Sequence, residues 1–259
     1  MRAIRCAVVA LLAAGIVAMV GAQPPRQFGG GGGDISGLVL NNTALQEELK
    51  ITDAQKEKFK PLVEKQTDLA KRGRDLFAKG FKDFDKEKAA DLRKEGEKLS
   101  EDVKKALDAE LTADQKKRLK QIGVQMLGMG VFADPEGKNA FGQPYGDAQK
   151  ATMKEVADAL KLTDSQKSKI KDITEEYSKD RAAIRKDVFG DTKGKGAFDP
   201  EKQKDFQSKT SKLSAETMSK IADVLDDTQK KTWKELTGDA FDTSKLFQGG
   251  GGFRPKGKD

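Results

Sequence analysis

The sequence predicts an all-α protein built from two tandem four-helix units of long helical hairpins, with flexible glycine-rich tails. First, a helix-start motif, L-T-x-x-Q or a close variant, occurs four times in the 259 residues. Second, the apolar residues after each copy recur at helical spacing, and no alternating strand pattern occurs. Third, the apolar content is only 36%, which favours elongated hairpins with thin apolar seams over one thick core.

The four motif copies begin at positions 51, 111, 162 and 225. A Thr or Asp at the N-cap accepts a hydrogen bond from the first helical turn, and a Gln three residues later reaches back to the N-cap amide. We therefore interpret the motif as a structural capping box, with a direct ligand role for the Thr or Gln as the alternative. The capping residues are Thr52 and Gln55, Thr112 and Gln115, Thr163 and Gln166, Asp226 and Gln229.

The spacing of the copies predicts a tandem duplication. The first and third copies are 111 residues apart, whereas the second and fourth are 114 apart. Asp85 and Asp199, each preceded by Phe and each a good N-cap, are also separated by 114 residues. Three residues were therefore inserted in the second half ahead of its third helix, in the loop 190–196. Such repeats determine how the whole fold is interpreted.

The N-terminus is predicted to be a signal peptide. Arg2 and Arg5 precede an apolar stretch at 7–20, and small residues precede Gln23. The stretch is shorter than the about 20 residues that a membrane span needs, so an uncleaved anchor is the alternative. The only cysteine, Cys6, lies in this segment, so the exported chain would be held by helix packing without disulfides.

Each half of the chain is predicted to contain four helices. In each half a short helix, at 42–49 or 151–160, precedes a second helix that starts at the first motif. A third helix starts at Asp85 or Asp199, and the second motif starts the fourth. The segments are a signal peptide at 1–22, a Gly/Pro-rich segment at 23–34, a first unit at 35–128, a linker at 129–147, a second unit at 148–247 and a tail at 248–259. Whether the linker is ordered or acts as a hinge is left open.

Composition argues against an enzyme, a cofactor site and a nucleic-acid-binding protein. The chain has no histidine, and its single cysteine lies in the predicted signal peptide, so the commonest general base and the thiol nucleophile are missing. The net charge of +7 is spread over a chain that is 35% charged, with both signs interspersed. Met126 and Met129 could bind copper(I), but packing in a helical core is the favoured interpretation. No cofactor and no metal site are predicted.

The motifs together resemble the Spy/CpxP family of periplasmic stress proteins, the LTXXQ family. Segments 49–56 and 160–167 resemble the first motif of the family, and the copies at 111 and 225 resemble the second. The Phe-Asp pairs ending at Asp85 and Asp199 resemble the opening of its third helix. The resemblance covers about 35–128 and 148–240. The chain departs from the pattern in carrying two units, and in Asp226 for Thr.

The resemblance implies a function as well as a fold. Family members are small four-helix proteins that dimerise into a curved cradle, and one is an ATP-independent chaperone. It implies an exported, periplasmic or secreted envelope-stress protein that binds unfolded or partner proteins. No membrane span is expected after signal cleavage. The chain could form a homo-oligomer or a single-chain pseudo-dimer cradle. The alternatives are an envelope adaptor or signalling regulator that binds one folded partner and, with the usual ligands missing, a metal-responsive sensor.

Candidate client-binding residues are basic and aromatic side chains near the hairpin tips, because client binding needs apolar patches beside mobile positive charge. Alternatively, the phenylalanines close the tips internally. The candidates are Lys71, Arg72, Arg74, Phe77, Phe81, Phe84, Arg181, Arg185, Lys186, Phe189 and Phe198.

Overall fold

The computed structural model describes residues 35–78, 85–137, 143–190 and 199–247, and these residues confirm the all-α fold class. The predicted signal peptide, the segment 23–34 and the tail from 248 lie outside them. No helix in the described ranges is long and apolar enough to cross a membrane. The helices are α1 Ser36–Val39, α2 Thr43–Glu48, α3 Asp53–Ala78, α4 Lys86–Glu110, α5 Ala113–Leu127, α6 Asp147–Leu160, α7 Asp164–Phe189, α8 Pro200–Val224 and α9 Asp227–Thr237, with 3-10 turns at Gly128–Phe132 and Thr243–Phe247.

Each motif helix starts one residue after its predicted N-cap, whereas the short helices differ from prediction. The helix predicted at 42–49 is α2, which begins where the side chain of Asn42 accepts a hydrogen bond from the amide of Leu45. The helix predicted at 151–160 starts four residues earlier, as α6. The Gly146 amide donates to Oε1 of Gln149 at 3.0 Å, which caps the added turn. This added turn has the same Gln-to-N-cap bond as the motifs, but Gly stands in place of Thr.

The described residues pack as two compact units, 35–119 and 120–247, and the division falls inside α5. This boundary, between residues 119 and 120, differs from the end of the first predicted unit at residue 128. The repeat boundaries, which concern ancestry rather than packing, stay a prediction.

The first unit is an antiparallel hairpin of α3 and α4 with a small cap formed by α1 and α2. Val39 and Leu45 of the cap and Phe59 of α3 are all at most 2% exposed. Beyond this base the hairpin seam thins, and Leu69, Leu92 and Leu99 are only half-buried. The most deeply buried residues of this unit therefore lie at the end of the hairpin where the motifs lie, although Leu76 near the other end is also buried.

The second unit buries its core around Trp233 of α9. Val156, Leu160, Ile170 and Ile221 belong to the same cluster, as does Val131 of the first 3-10 turn. The ring of Phe132, in that turn, lies 5.3 Å from the ring of Trp233. The beginning of the predicted linker thus contributes to the core of this unit.

The C-terminal end of α9 is held by two glutamines of α5. Nε2 of Gln125 donates to the carbonyls of Thr237 and Asp239, and Oε1 of Gln125 accepts from the amide of Phe241. Nε2 of Gln121 donates to the carbonyl of Glu235 at 2.8 Å. These bonds satisfy carbonyls that a helix end leaves without partners.

Gly238 makes this helix end sensitive to substitution. Its φ is +61° and its ψ is −155°, a region that is essentially restricted to glycine. A Cβ atom there would lie 2.3 Å from Oε1 of Gln121. We expect Gly238→Ala to lower the free energy of unfolding by about 2 kcal/mol, measured by urea denaturation.

The control for Gly238→Ala is Gly123→Ala in α5. Gly123 lies inside a helix, and a Cβ atom at that position would meet nothing within 4 Å. This control should be neutral or stabilising by up to about 1 kcal/mol. Equal stability of the two variants would contradict a special role for Gly238.

Candidate binding face of the long helices

The motif residues form reciprocal capping bonds at all four helix starts. In the first copy the amide of Thr52 donates to Oε1 of Gln55 at 3.0 Å, and the amide of Gln55 donates to Oγ1 of Thr52 at 3.2 Å. The same two bonds join Thr112 with Gln115, Thr163 with Gln166, and Asp226 with Gln229. Each Gln side chain is thereby fixed in orientation.

In the first unit the two motif glutamines also bond to each other. Nε2 of Gln55 donates to Oε1 of Gln115 at 2.9 Å, and Nε2 of Gln115 donates back to Oε1 of Gln55 at 3.1 Å. Gln55 also donates to the carbonyl of Glu110, and Gln115 to those of Leu49 and Lys50. This glutamine pair therefore connects the starts of α3 and α5 to the ends of α2 and α4.

The second unit has an equivalent glutamine pair. Nε2 of Gln166 donates to Oε1 of Gln229 at 2.7 Å, and the reciprocal bond is 3.0 Å. Gln166 also donates to the carbonyl of Val224, and Gln229 to that of Leu160. The amide donors and acceptors of the motif glutamines are thus directed at protein atoms, which favours a structural role over a ligand role. The recurrence of Gln at all four starts was the available signal for this pairing.

Among the tip candidates in the first unit, Arg72 is engaged within the hairpin. Its guanidinium donates to both carboxylate oxygens of Glu95 on α4, with a 3.1 Å bond to Oε1, and its Nε lies 2.9 Å from Oδ2 of Asp68. The hydrogen bond from Arg72 lowers the pKa of Glu95, and the same bond raises the pKa of Arg72. Phe77 is in the last turn of α3, and Phe81 and Phe84 lie outside the described residues.

The Arg72–Glu95 pair gives a pH-dependent prediction. Because the folded pKa of Glu95 is lowered, the pair contributes stability above the unfolded pKa, and this contribution disappears as the pH falls through the folded value. In Arg72→Ala, the pKa of Glu95 should rise toward its ordinary value. NMR titration of the Glu95 carboxyl checks this, and an unchanged pKa would contradict the pairing.

Among the tip candidates of the second unit, Phe189 and Arg181 also contact the neighbouring helix of their hairpin. The ring of Phe189 lies 5.3 Å from the ring of Phe206 on α8, and the guanidinium of Arg181 lies 6.0 Å from the centre of the Phe206 ring. Phe189 and Arg181 thus pack across the hairpin, as the internal-closure alternative describes. Lys186 is exposed, and Phe198 lies outside the described residues.

Lys71, Arg74 and Arg185 are different because they are exposed and form no ion pair or hydrogen bond with any residue that the structure describes. Lys71 and Arg74 are one turn apart on α3. Arg185 of α7 occupies the repeat position of Arg74, 111 residues later. These three candidates can therefore contact a partner without first breaking a bond to any described residue.

They belong to two matching surfaces, one on α3 and one on α7, and we call each of them a basic face. Each consists of positions spaced by four, three, four, four and three residues, which lie on one side of a helix. No member of the set is acidic in either helix, and nearly all members are exposed. On α3 the members are Lys56, Lys60, Val63, Thr67, Lys71 and Arg74; on α7 they are Lys167, Lys171, Thr174, Ser178, Ala182 and Arg185.

Some lysines of the basic face have acidic neighbours on their own helix. Lys56 pairs with Asp53 at 3.2 Å, and Lys60 with Glu57 at 3.4 Å. Exposed pairs of this kind are worth about 0–1 kcal/mol, so a partner can displace them at small cost. The acidic residues of these pairs lie beside the basic face, which itself contains no acidic residue.

Comparison with known proteins gives one match. Residues 148–237 match the family model described as LTXXQ motif family protein. No curated protein and no solved structure matches the chain. The match confirms the Spy/CpxP-type resemblance through the second half, while the tandem duplication stays a prediction. Proteins of this family are typically periplasmic and are not enzymes.

Proposed function

We propose, from the place of residues 148–237 in the LTXXQ motif family, that the protein binds unfolded or partner proteins of the cell envelope. It would do so without ATP, through the basic faces of α3 and α7. The observation that carries this proposal is the recurrence of the same acid-free arrangement on both long helices. The three-residue insertion lies beyond these helices, so it leaves the arrangement unchanged.

Physical chemistry supports weak, reversible holding on such a surface. Lys and Arg side chains have long apolar stems with mobile charged ends, so they can contact both acidic and apolar parts of a client. The attraction is screened over about 10 Å at 0.1 M salt and about 3 Å at 1 M. Binding should therefore be fast, weak and dependent on salt. It needs no fixed pocket for every client segment.

Light scattering from an aggregating client tests the proposal. A reductant- or heat-unfolded client would be followed with and without residues 23–259 at a stoichiometric ratio, in low and in high salt. We expect the protein to suppress aggregation in low salt and to lose effect in high salt. Unchanged aggregation in both conditions would contradict the proposal. Capture of one stoichiometric folded partner from envelope extracts would instead support the adaptor alternative.

A further inference from the structure

The first unit has a surface cleft of about 270 Å³ between α2 and α3. Its apolar floor is formed by Leu40, Phe59 and Val63, of which Leu40 and Phe59 are at most 4% exposed. Gln46 lines the α2 side and is held there by hydrogen bonds from its Nε2 to the carbonyls of Val39 and Leu40. The Gln46 side of the cleft is therefore held in place before any ligand binds.

The cleft is smaller than a typical small-molecule site. Small-molecule sites occupy about 300–1,000 Å³ and bury most of their ligand, whereas this surface cleft falls below that range. Its volume and apolar floor suit a single large apolar side chain that remains attached to a chain outside. A polypeptide segment that inserts one side chain fits this volume.

The position of the cleft identifies the charge of that segment. Lys56, Lys60 and Val63 line the cleft and are also members of the basic face. The side chains of Lys56 and Lys60 are 48% and 62% exposed, so their ammonium groups can reach residues on either side of an inserted side chain. Glu57 is the acidic residue among the lining residues, and it is already paired with Lys60.

We infer that this cleft receives one aromatic or leucine side chain from an unfolded segment whose neighbouring residues are acidic. The inference deepens the proposed function and rests on it. It also makes the two units unequal, because the positions 111 residues after Leu40, Gln46 and Val63 hold Ala151, Ala157 and Thr174. The first unit selects an apolar anchor, and the second attracts the client by charge.

Two labelled peptides test the inference. Each is a short extended peptide of Asp, Glu and Gly with fluorescein at one end, and the central residue is Phe in one and Ala in the other. Fluorescence anisotropy with residues 23–259 measures the two dissociation constants. Insertion of the phenyl ring should make the Phe peptide bind about tenfold more tightly. Equal affinities would overturn the inference.

Matched variants locate the preference. Val63→Glu should abolish the difference between the two peptides, whereas Thr174→Glu, at the matching position of the second unit, should preserve it. Val63→Thr copies the residue of the second unit without adding charge, and it should reduce the preference even if Val63→Glu fails to fold. A preference that survives both Val63 variants, or that is lost in a folded Thr174→Glu, would overturn the inference.

The peptide data also separate this inference from the proposed function. Salt-sensitive binding of both peptides with equal affinity would contradict the cleft and leave the basic face as the binding surface. Absence of binding by either peptide would contradict both. A Phe preference that persists in high salt supports the cleft as an apolar site.

Discussion

Gln115→Met should lower the free energy of unfolding by about 3 kcal/mol. The glutamine is 9% exposed, and its Nε2 donates to the carbonyls of Leu49 and Lys50 as well as to Gln55. Methionine fills similar space but leaves these acceptors without a donor, at a cost of about 1–3 kcal/mol for each group that is buried and unsatisfied. Chemical denaturation followed by far-UV circular dichroism measures the loss.

The double variant separates pairing from simple side-chain loss. The second substitution removes a side chain that has already lost its partner. Gln55→Met combined with Gln115→Met should therefore destabilise the protein by less than the sum of the two single variants. Gln207→Met, on the exposed surface of α8, is the control and should change stability by less than about 0.5 kcal/mol. Additive single effects would contradict reciprocal pairing.

The same substitution in the second glutamine pair can be followed by a local probe. Gln229→Met should weaken the second unit for the same reason, since its Nε2 donates to the carbonyl of Leu160 and to Oε1 of Gln166. The chain has one tryptophan, Trp233, which is buried one turn after Gln229. Its fluorescence should report unfolding at lower denaturant than in the parent protein.

Reversing three charges on the basic face should weaken client binding by about tenfold in low salt. The variant combines Lys71→Glu, Arg74→Glu and Arg185→Glu, all at exposed positions without an ion pair among the described residues. Binding should weaken because the protein loses three charges that attract the acidic client and gains three charges that repel it. Anisotropy of a labelled, permanently unfolded acidic client measures the dissociation constant.

The control for charge reversal changes net charge equally on other faces. Lys65→Glu on α3, Lys94→Glu on α4 and Lys179→Glu on α7 are exposed and lie outside the basic face. This control should weaken client binding less than the basic-face variant does, because its altered charges lie outside the faces that contact the bound segment. Equal weakening by both triple variants would show that net charge rather than the basic face governs binding.

Local signals account for the part of the fold that the sequence predicts. A Thr or Asp with a Gln three residues later is enough to place a helix start, and the four motif helices begin as expected. The added turn of α6 was missed because Gly146 lacks the side chain that marks an N-cap, although Gln149 provides half of the capping pattern. Such a start depends on one hydrogen bond, which the Gln side chain accepts from the Gly amide.

Tertiary contacts account for what the sequence leaves out. The amide pair of Gln55 and Gln115 joins residues 60 positions apart, so neither local pattern contains it. Arg72 and Lys71 are adjacent and look equivalent in the sequence. Only the position of Glu95 on the neighbouring helix shows that Arg72 is held within the hairpin.

Site-specific photo-crosslinking would show whether unfolded chains lie along the basic faces of α3 and α7. A photoreactive residue would replace Thr67 or Ser178, which occupy matching exposed positions in the middle of the two faces. Lys65 and Lys179, on other faces of the same helices, provide the controls. We predict that an unfolded client crosslinks to positions 67 and 178, less so in high salt, and little to 65 and 179. Equal crosslinking at all four positions, or crosslinking confined to 65 and 179, would contradict the account.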